Sequence, residues 1–222
     1  MFGMDSRSNT EAPMKCKNFH YQQTQVELDI NEDLYSMGLI PRILNYIFEL
    51  IRKTKIEAKI SIGFFQIFKE KVYDLLTDEH TPPSLQVRES AYDGHIIENL
   101  LSCECSCYEE ALGLMLKGEE HRFIRETAMN LKSSRAHTVL QVKAEITLPN
   151  KKVLRSVLDL CDLAGSERYN AKNMGKEHMQ EMNSINLSLS TLGKIMNSLS
   201  KSKDGKGAGV HIPYRESVLT KI

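Results

Sequence analysis

The chain has 222 residues, 41% of them apolar and 26% charged, with 29 Lys and Arg balanced by 29 Asp and Glu. That length suits one well-buried domain, and the zero net charge excludes a bulk electrostatic case for a nucleic-acid or membrane-surface partner. No apolar run approaches the roughly 20 residues that span a bilayer, and Met1 to Thr10 lacks the basic start and apolar stretch of a secretory signal. No nucleic acid and no membrane is therefore expected among its partners. Five cysteines, an odd number without framework spacing, fit a reducing compartment, so the cytoplasm is the expected location.

In chain order, residues 1–36 are polar and without sustained periodicity, which predicts a long surface loop. Order is expected from Gly38. Pro41 suits a first helical turn, and Ile43, Leu44, Ile47, Phe48 and Ile51 follow at helical spacing. Lys59 to Phe68 reads as a buried strand, followed by Lys71 to Leu76, and Pro82-Pro83 breaks the chain. Leu85 to Arg88 and His95 to Leu100 read as short strands joined across Asp93-Gly94. Cys103, Cys105 and Cys107 share one face of an extended segment; without a fourth ligand or an intervening turn they are expected as free thiols and not as a metal site. Glu109 to Leu116 predicts a short helix ended by Gly118.

The clearest strand is Leu140 to Leu148, where Leu140, Val142, Ala144, Ile146 and Leu148 alternate with Gln141, Lys143, Glu145 and Thr147. Pro149-Asn150-Lys151 turns the chain into a second strand, Val153 to Leu160, which delivers Asp162 to the sheet edge, where ligands of open α/β sheets collect. Met182, Ile185, Leu189, Leu192, Met196 and Leu199 then form an apolar stripe at spacings of three and four, the mark of a long helix. Strands mixed with helices predict a three-layer α/β fold.

Two segments carry chemistry. Asp162-Leu163-Ala164-Gly165 fits D-x-x-G: the Asp can hold a Mg²⁺-bound water, and the Gly N–H can approach a terminal phosphate unobstructed. Asn130-Leu131-Lys132-Ser133-Ser134-Arg135-Ala136-His137 offers hydroxyls for Mg²⁺ or phosphate oxygen and a guanidinium for a carboxylate. Taken alone, the first reads foremost as a plain strand-to-loop turn and the second as a capped polar loop.

Together they are specific. Asn-x-x-Ser-Ser-Arg-x-His, followed about twenty-five residues later by Asp-Leu-Ala-Gly-Ser-Glu, strongly resembles switch I and switch II of kinesin motor domains. Gly38 to Arg42, Lys71 to Leu76, Ile185 to Gly193 and His211 to Ser217 resemble further family blocks in the same order, so the resemblance covers nearly all of Gly38 to Ile222. It implies a P-loop NTPase-type motor domain, a central mixed sheet flanked by helices, truncated at both ends. Residues 1–36 would be its variable loop and residues 38–222 its core.

The resemblance implies ATP and Mg²⁺ as cofactors. Asn130, Ser133 and Ser134 would face the γ-phosphate and the metal, with Ser134 on Mg²⁺ and Asp162 acting on it through water. Gly165 would report the γ-phosphate. Arg135 and Glu167 would bridge the switches and, with Ser133 and Gly165, close around the attacking water. The family pattern has Ser where Ala136 stands, which predicts tuning of switch I. No G-x-x-x-x-G-K-[ST] occurs in the sequence, and Met1-Phe2-Gly3 resembles the residues that follow that loop. The chain is thus expected to begin just past its nucleotide cradle and to stop before the last strand, last helix and neck linker, leaving it unable to hydrolyse ATP alone.

Between Lys194 and Lys221 the sequence places Lys194, Lys201, Lys203, Lys206, Arg215 and Lys221 against only Asp204 and Glu216. In kinesins this region faces the acidic microtubule, so Arg215, Lys201, Lys203 and Lys206 are expected to contact tubulin, joined by Arg88 from a second family contact region. The resemblance implies a microtubule-stimulated ATPase of the cytoskeleton, with an oligomeric state set by a stalk that the sequence lacks. The competing reading is a non-catalytic, kinesin-derived microtubule-binding module. A small GTPase-like switch has only D-x-x-G in its favour and lacks the Asn-Lys-x-Asp base-reading motif.

Overall fold

The computed structural model describes residues 37–79, 82–90, 94–128, 135–165, 176–203 and 212–222. Helix α1 spans Leu39–Thr54 and buries Pro41 and Leu44, with Arg52 and Lys53 placed in its last turn beside the exposed carbonyls. Strand β1, Glu57–Phe68, turns into β2, Lys71–Asp74, with Phe68 opposite Lys71. Strands β3, Val87–Ser90, and β4, Gly94–Ile97, form a separate two-stranded ribbon. Strand β5, Cys103–Cys105, leads into α2, Tyr108–Ala128. Strands β6, His137–Thr147, and β7, Val153–Asp162, form the long hairpin, followed by α3, Lys176–Lys203. A 3₁₀ turn at Tyr214–Glu216 precedes the short α4, Val218–Lys221.

The main sheet runs β2-β1-β6-β7, with β5 also paired to β1. Every pairing among the described residues is antiparallel, which corrects the expectation of a mixed sheet. Tight turns account for β1–β2 and β6–β7, because they can connect only antiparallel neighbours; β1 pairs with β5 and β6 across longer stretches of chain.

Two apolar clusters define the layers. On one face Ile60, Ile62, Phe64, Leu140 and Val142 pack with Leu44 of α1 and with Ala111 and Leu114 of α2. On the other, Phe65, Ile67, Val72 and Val139 meet the β3–β4 ribbon and Val218, Leu219 and Ile222 at the chain's end. The period-2 alternation of β1 and β6 feeds both clusters, as a sheet covered on both faces requires.

Three expectations change. Helix α2 does not stop near Gly118. It runs on to Ala128, and Gly118 lies where an added Cβ would fall 2.1 Å from Phe64 Cδ1. The glycine serves close approach of helix to sheet and does not end the helix. The buried side of α3 is Ser188, Thr191 and Ile195, while Met196 of the expected stripe is 63% exposed. Among the cysteines, Cys105, Cys107 and Cys161 are free thiols, but Cys103 is disulfide-bonded. Burial pushes the Cys105 thiol up to about 12, so it is not a reactive thiolate.

Candidate functional site

The register of β6 with β7 builds the site. Thr138 pairs with Asp162 at the last rung of the ladder, so the strand that begins just after Arg135 and the strand that ends at Asp162 finish at the same end of the sheet. Alternation then divides the work there. Thr138 and Asp162 stand on the α2 face, and His137, one residue earlier, stands on the α3 face.

On the α2 face, Arg122 reaches the strand end. Its Nη1 lies 3.3 Å from Asp162 Oδ2, 3.5 Å from Thr138 Oγ1 and 3.4 Å from Glu119 Oε1. The Arg122 side chain is only 13% exposed, against 62% for Asp162. A part-buried cation thus holds an outward-facing carboxylate. The contact is longer than the 2.7–2.9 Å usual for charge-assisted hydrogen bonds, so Asp162 is loosely held.

On the α3 face, His137 is 3% exposed and joins two further elements. Its Nδ1 accepts the Ala164 N–H at 2.9 Å, and its Nε2 lies 2.8 Å from Ser188 Oγ on α3. Because a backbone N–H can only donate, Nδ1 must carry the lone pair and Nε2 the proton. Nε2–H therefore donates to Ser188 Oγ, whose own hydroxyl donates to the Ile185 carbonyl at 2.8 Å. Burial lowers the His137 pKa, opposed by the negative charge of Asp162. The imidazole is neutral at pH 7. Beside this link Thr191 is fully buried, and its Oγ1 has no hydrogen-bond partner among the described residues.

A second cluster gathers basic residues around the ribbon and the 3₁₀ turn. Arg215 pairs with Glu89 of β3, and His95 of β4 lies 3.4 Å from the same carboxylate. The Arg215 guanidinium beside Glu89 holds that carboxyl below the usual range. Lys194 of α3 pairs with Glu216 at 2.9 Å, and Arg88 with Glu98 at 2.8 Å. Glu70 fixes the backbone beneath them: its carboxylate accepts Val218 N–H at 2.7 Å and Ser217 Oγ–H at 3.2 Å. Glu70 and Lys69 form the turn joining β1 to β2, both at positive φ (57° and 50°), a conformation that β-turns of this kind usually give to Asn and Gly.

Of the residues singled out in the sequence, Asp162, Gly165 and Arg135 fall at one end of the sheet, and Arg88 and Arg215 both border the β3–β4 ribbon. Lys201 is exposed in the last turn of α3, and Lys203 closes that helix. Asn130, Ser133, Ser134, Glu167 and Lys206 lie outside the described residues, as does the 1–36 loop. Sequence reasoning missed Arg122, Glu70 and Ser188. Only Glu119, three residues before Arg122 on the same helix, hinted at a positioned guanidinium.

A long helix tied by a side chain to the loop that follows a strand-end Asp, in an α/β sheet with helices on both faces, is the architecture of the motor-domain class. The family model for the kinesin motor domain matches residues 28–222, and the chain belongs to that family. It is 35% identical over 188 residues to the kinesin-like protein KIF28 of Mus musculus, covering 83% of this chain and 18% of that protein. It is 34% identical over 203 residues to kinesin-like protein 3 of Schizosaccharomyces pombe, covering 90% and 35%. Among solved structures it superposes on a fast kinesin with a TM-score of 0.72 at 33% identity, covering 83% of this chain and 51% of that one. A KIF14 dimer bound to a microtubule in the AMP-PNP state gives 0.71 at 33% identity, covering 82% and 53%. The chain thus spans about half of those solved chains and a smaller share of the curated relatives.

Proposed function

We propose that this chain is the switch-bearing and track-binding part of a microtubule-based, ATP-driven motor of the cytoplasmic cytoskeleton. The observation that carries the reading is the Thr138–Asp162 rung, which brings the segment after Arg135 and the Asp162-to-Gly165 loop to one end of the sheet. The likeness to a kinesin solved on a microtubule supports the choice of partner.

The residues present fit Mg²⁺ with a nucleoside triphosphate. Among the described residues no group of three or more His, Cys, Asp and Glu could cage a metal, and Asp162 offers one exposed carboxylate. One exposed carboxylate is compatible with Mg²⁺, which keeps several waters and takes one or two protein carboxylates plus phosphate oxygens. When bound, Mg²⁺ would neutralise charge developing on the phosphates. Asp162 would orient a metal-bound water, Ser134 would supply a hydroxyl ligand, and Asn130 and Ser133 would line the phosphate side. The Gly165 N–H would bond the terminal phosphate. Arg135 and Glu167 would pair to shut the switches and exclude bulk water. Arg122, whose hold on Asp162 is long, would release that carboxylate without a large cost.

Arg88, Lys201, Lys203, Lys206 and Arg215 are the proposed tubulin contacts. On the sequence observation that no G-x-x-x-x-G-K-[ST] is present, we propose that the 222 residues bind microtubules without turning over ATP on their own. The test is co-sedimentation of the chain with microtubules at rising ionic strength, alongside ATP turnover. Pelleting at low salt that weakens as salt screens exposed charge supports the reading; no pelleting at low salt overturns it. Turnover by the chain alone would overturn the claim that the missing phosphate loop is required.

A further inference from the structure

We propose that the cleft between α3, the β3–β4 ribbon and α4 is a binding site for a small amphipathic acid, an aliphatic carboxylate. None of its lining residues belongs to the Asp162 end of the sheet, and the inference stands apart from the motor reading. The cleft has a volume of about 680 Å³, inside the roughly 300–1,000 Å³ typical of small-molecule sites.

Its floor is aliphatic. Leu192 and Ile195 come from α3, one turn apart, and Leu219 and Ile222 come from α4 and the residue after it. Ile195 is buried, and Leu219 and Ile222 back onto the second apolar cluster. These side chains are anchored in the core and present one remaining surface to the cleft. An apolar chain laid on them leaves water, which is favourable in proportion to the area covered. The walls are also set in advance. Glu70 caps α4 through the Val218 N–H, and Thr220 Oγ1 donates to the Tyr214 carbonyl at 2.8 Å, tying α4 to the 3₁₀ turn. A ligand entering a cleft so braced has little protein to order, which removes part of the entropic penalty of binding.

The rim selects the charge of the guest. Arg215 and Lys221 line it against one acidic side chain, Glu89. That carboxylate is already shared, because Arg215 pairs with it and His95 Nε2 lies 3.4 Å away, so it has little to offer a cation. Lys221 is half-buried and has no ion-pair partner among the described residues. A half-buried ammonium without a carboxylate gains from an anion brought to it. Arg215, whose pair with Glu89 is exposed and weak, can turn to the same anion. A carboxylate on an aliphatic chain satisfies floor and rim together, whereas a bare phosphate would leave the aliphatic floor uncovered.

The experiment is titration of the 222-residue chain with decanoate, followed by NMR of isotope-labelled Leu and Ile methyl groups. Decyltrimethylammonium, with the same chain length and the opposite charge, is titrated in parallel. Decanoate should bind saturably, with a dissociation constant of about a millimolar or tighter, and shift the methyls of Leu192, Ile195, Leu219 and Ile222. It should bind at least about fivefold tighter than the cation. Lys221→Met keeps an apolar stem and removes the charge, and should weaken decanoate about fivefold. Glu89→Gln leaves Arg215 to the ligand and should tighten decanoate by up to about fivefold. Absence of saturable shifts at those methyls overturns the proposal, as does equal affinity for the cation, the sign of apolar adsorption alone. Unchanged affinity in Lys221→Met, or weaker binding in Glu89→Gln, overturns it too. Should a variant not fold, the contest between the two probes on the unmodified chain still decides.

Discussion

The carboxylate of Glu70 receives the Val218 N–H at 2.7 Å, so a turn of the sheet caps the helix that follows Arg215. Ser217 shares the work, accepting Leu219 N–H at 3.2 Å while donating to Glu70. Glu70→Ala removes a charged cap from a helix start, and a loss of about 1–2 kcal/mol is expected. Urea unfolding with an unchanged slope measures it. Microtubule affinity should fall in the same variant, because Arg215 then stands on a loosened segment.

Arg215 and Glu89 form an exposed ion pair, with the two side chains 74% and 56% exposed. Such exposed, solvent-screened pairs add little net stability, so an acidic partner can take the guanidinium from Glu89 at little cost. Glu89→Gln should therefore raise microtubule affinity by no more than about fivefold. Arg215→Ala should lower it and flatten its dependence on salt. Co-sedimentation at two ionic strengths reads both effects.

Gly118→Ala should destabilise the chain even though alanine is the better helix former by about 1 kcal/mol. The added Cβ would overlap the Phe64 ring, and overpacking of this kind costs about 1–3 kcal/mol. Pairing it with Phe64→Leu should recover part of the loss. Thermal or urea midpoints of the two single variants and the double variant measure the coupling.

Acid should weaken the fold through His137. Burial depresses its folded pKa below its ordinary value of 6.5, so the unfolded chain takes up a proton first as pH falls. The stability it contributes is complete above about pH 6.5 and declines as pH drops toward the lowered folded value. Unfolding midpoints at pH 7.5 and 5.5 should differ more in the unmodified chain than in His137→Asn. Carboxylates with lowered pKa, Glu49 beside Arg52 and Glu89 beside Arg215, add their own loss only at lower pH, below the ordinary 4.5.

Much of this was legible from local pattern. The alternation from Leu140 to Leu148 marks β6, which the structure extends back to His137 and ends at Thr147, and Asp162 stands at the strand end where the sequence puts it. The misreadings share a cause, because each depends on a distant surface. Gly118 looks like a helix stop until Phe64 is seen beneath it. The buried face of α3 begins with Ser188 and Thr191, which an apolar stripe cannot reveal; Ser188 meets the His137 ring there. Arg122 lies 40 residues from Asp162, beyond any periodicity. The mixed sheet was inferred from the family resemblance and not from any strand pattern.

Strand β7 is exposed along both faces, with Val157 at 59% exposure, and among the described residues it pairs only with β6. Mechanically it is a cantilever: its root is the turn from β6, one long side is clamped, and Asp162 rides at the tip. The sideways excursions of such a tip depend on how many of its edges are held. Anything that pairs with the open side of β7 would steady Asp162 without touching it, and the sharpness with which that carboxylate is aimed becomes a property of whatever lies alongside.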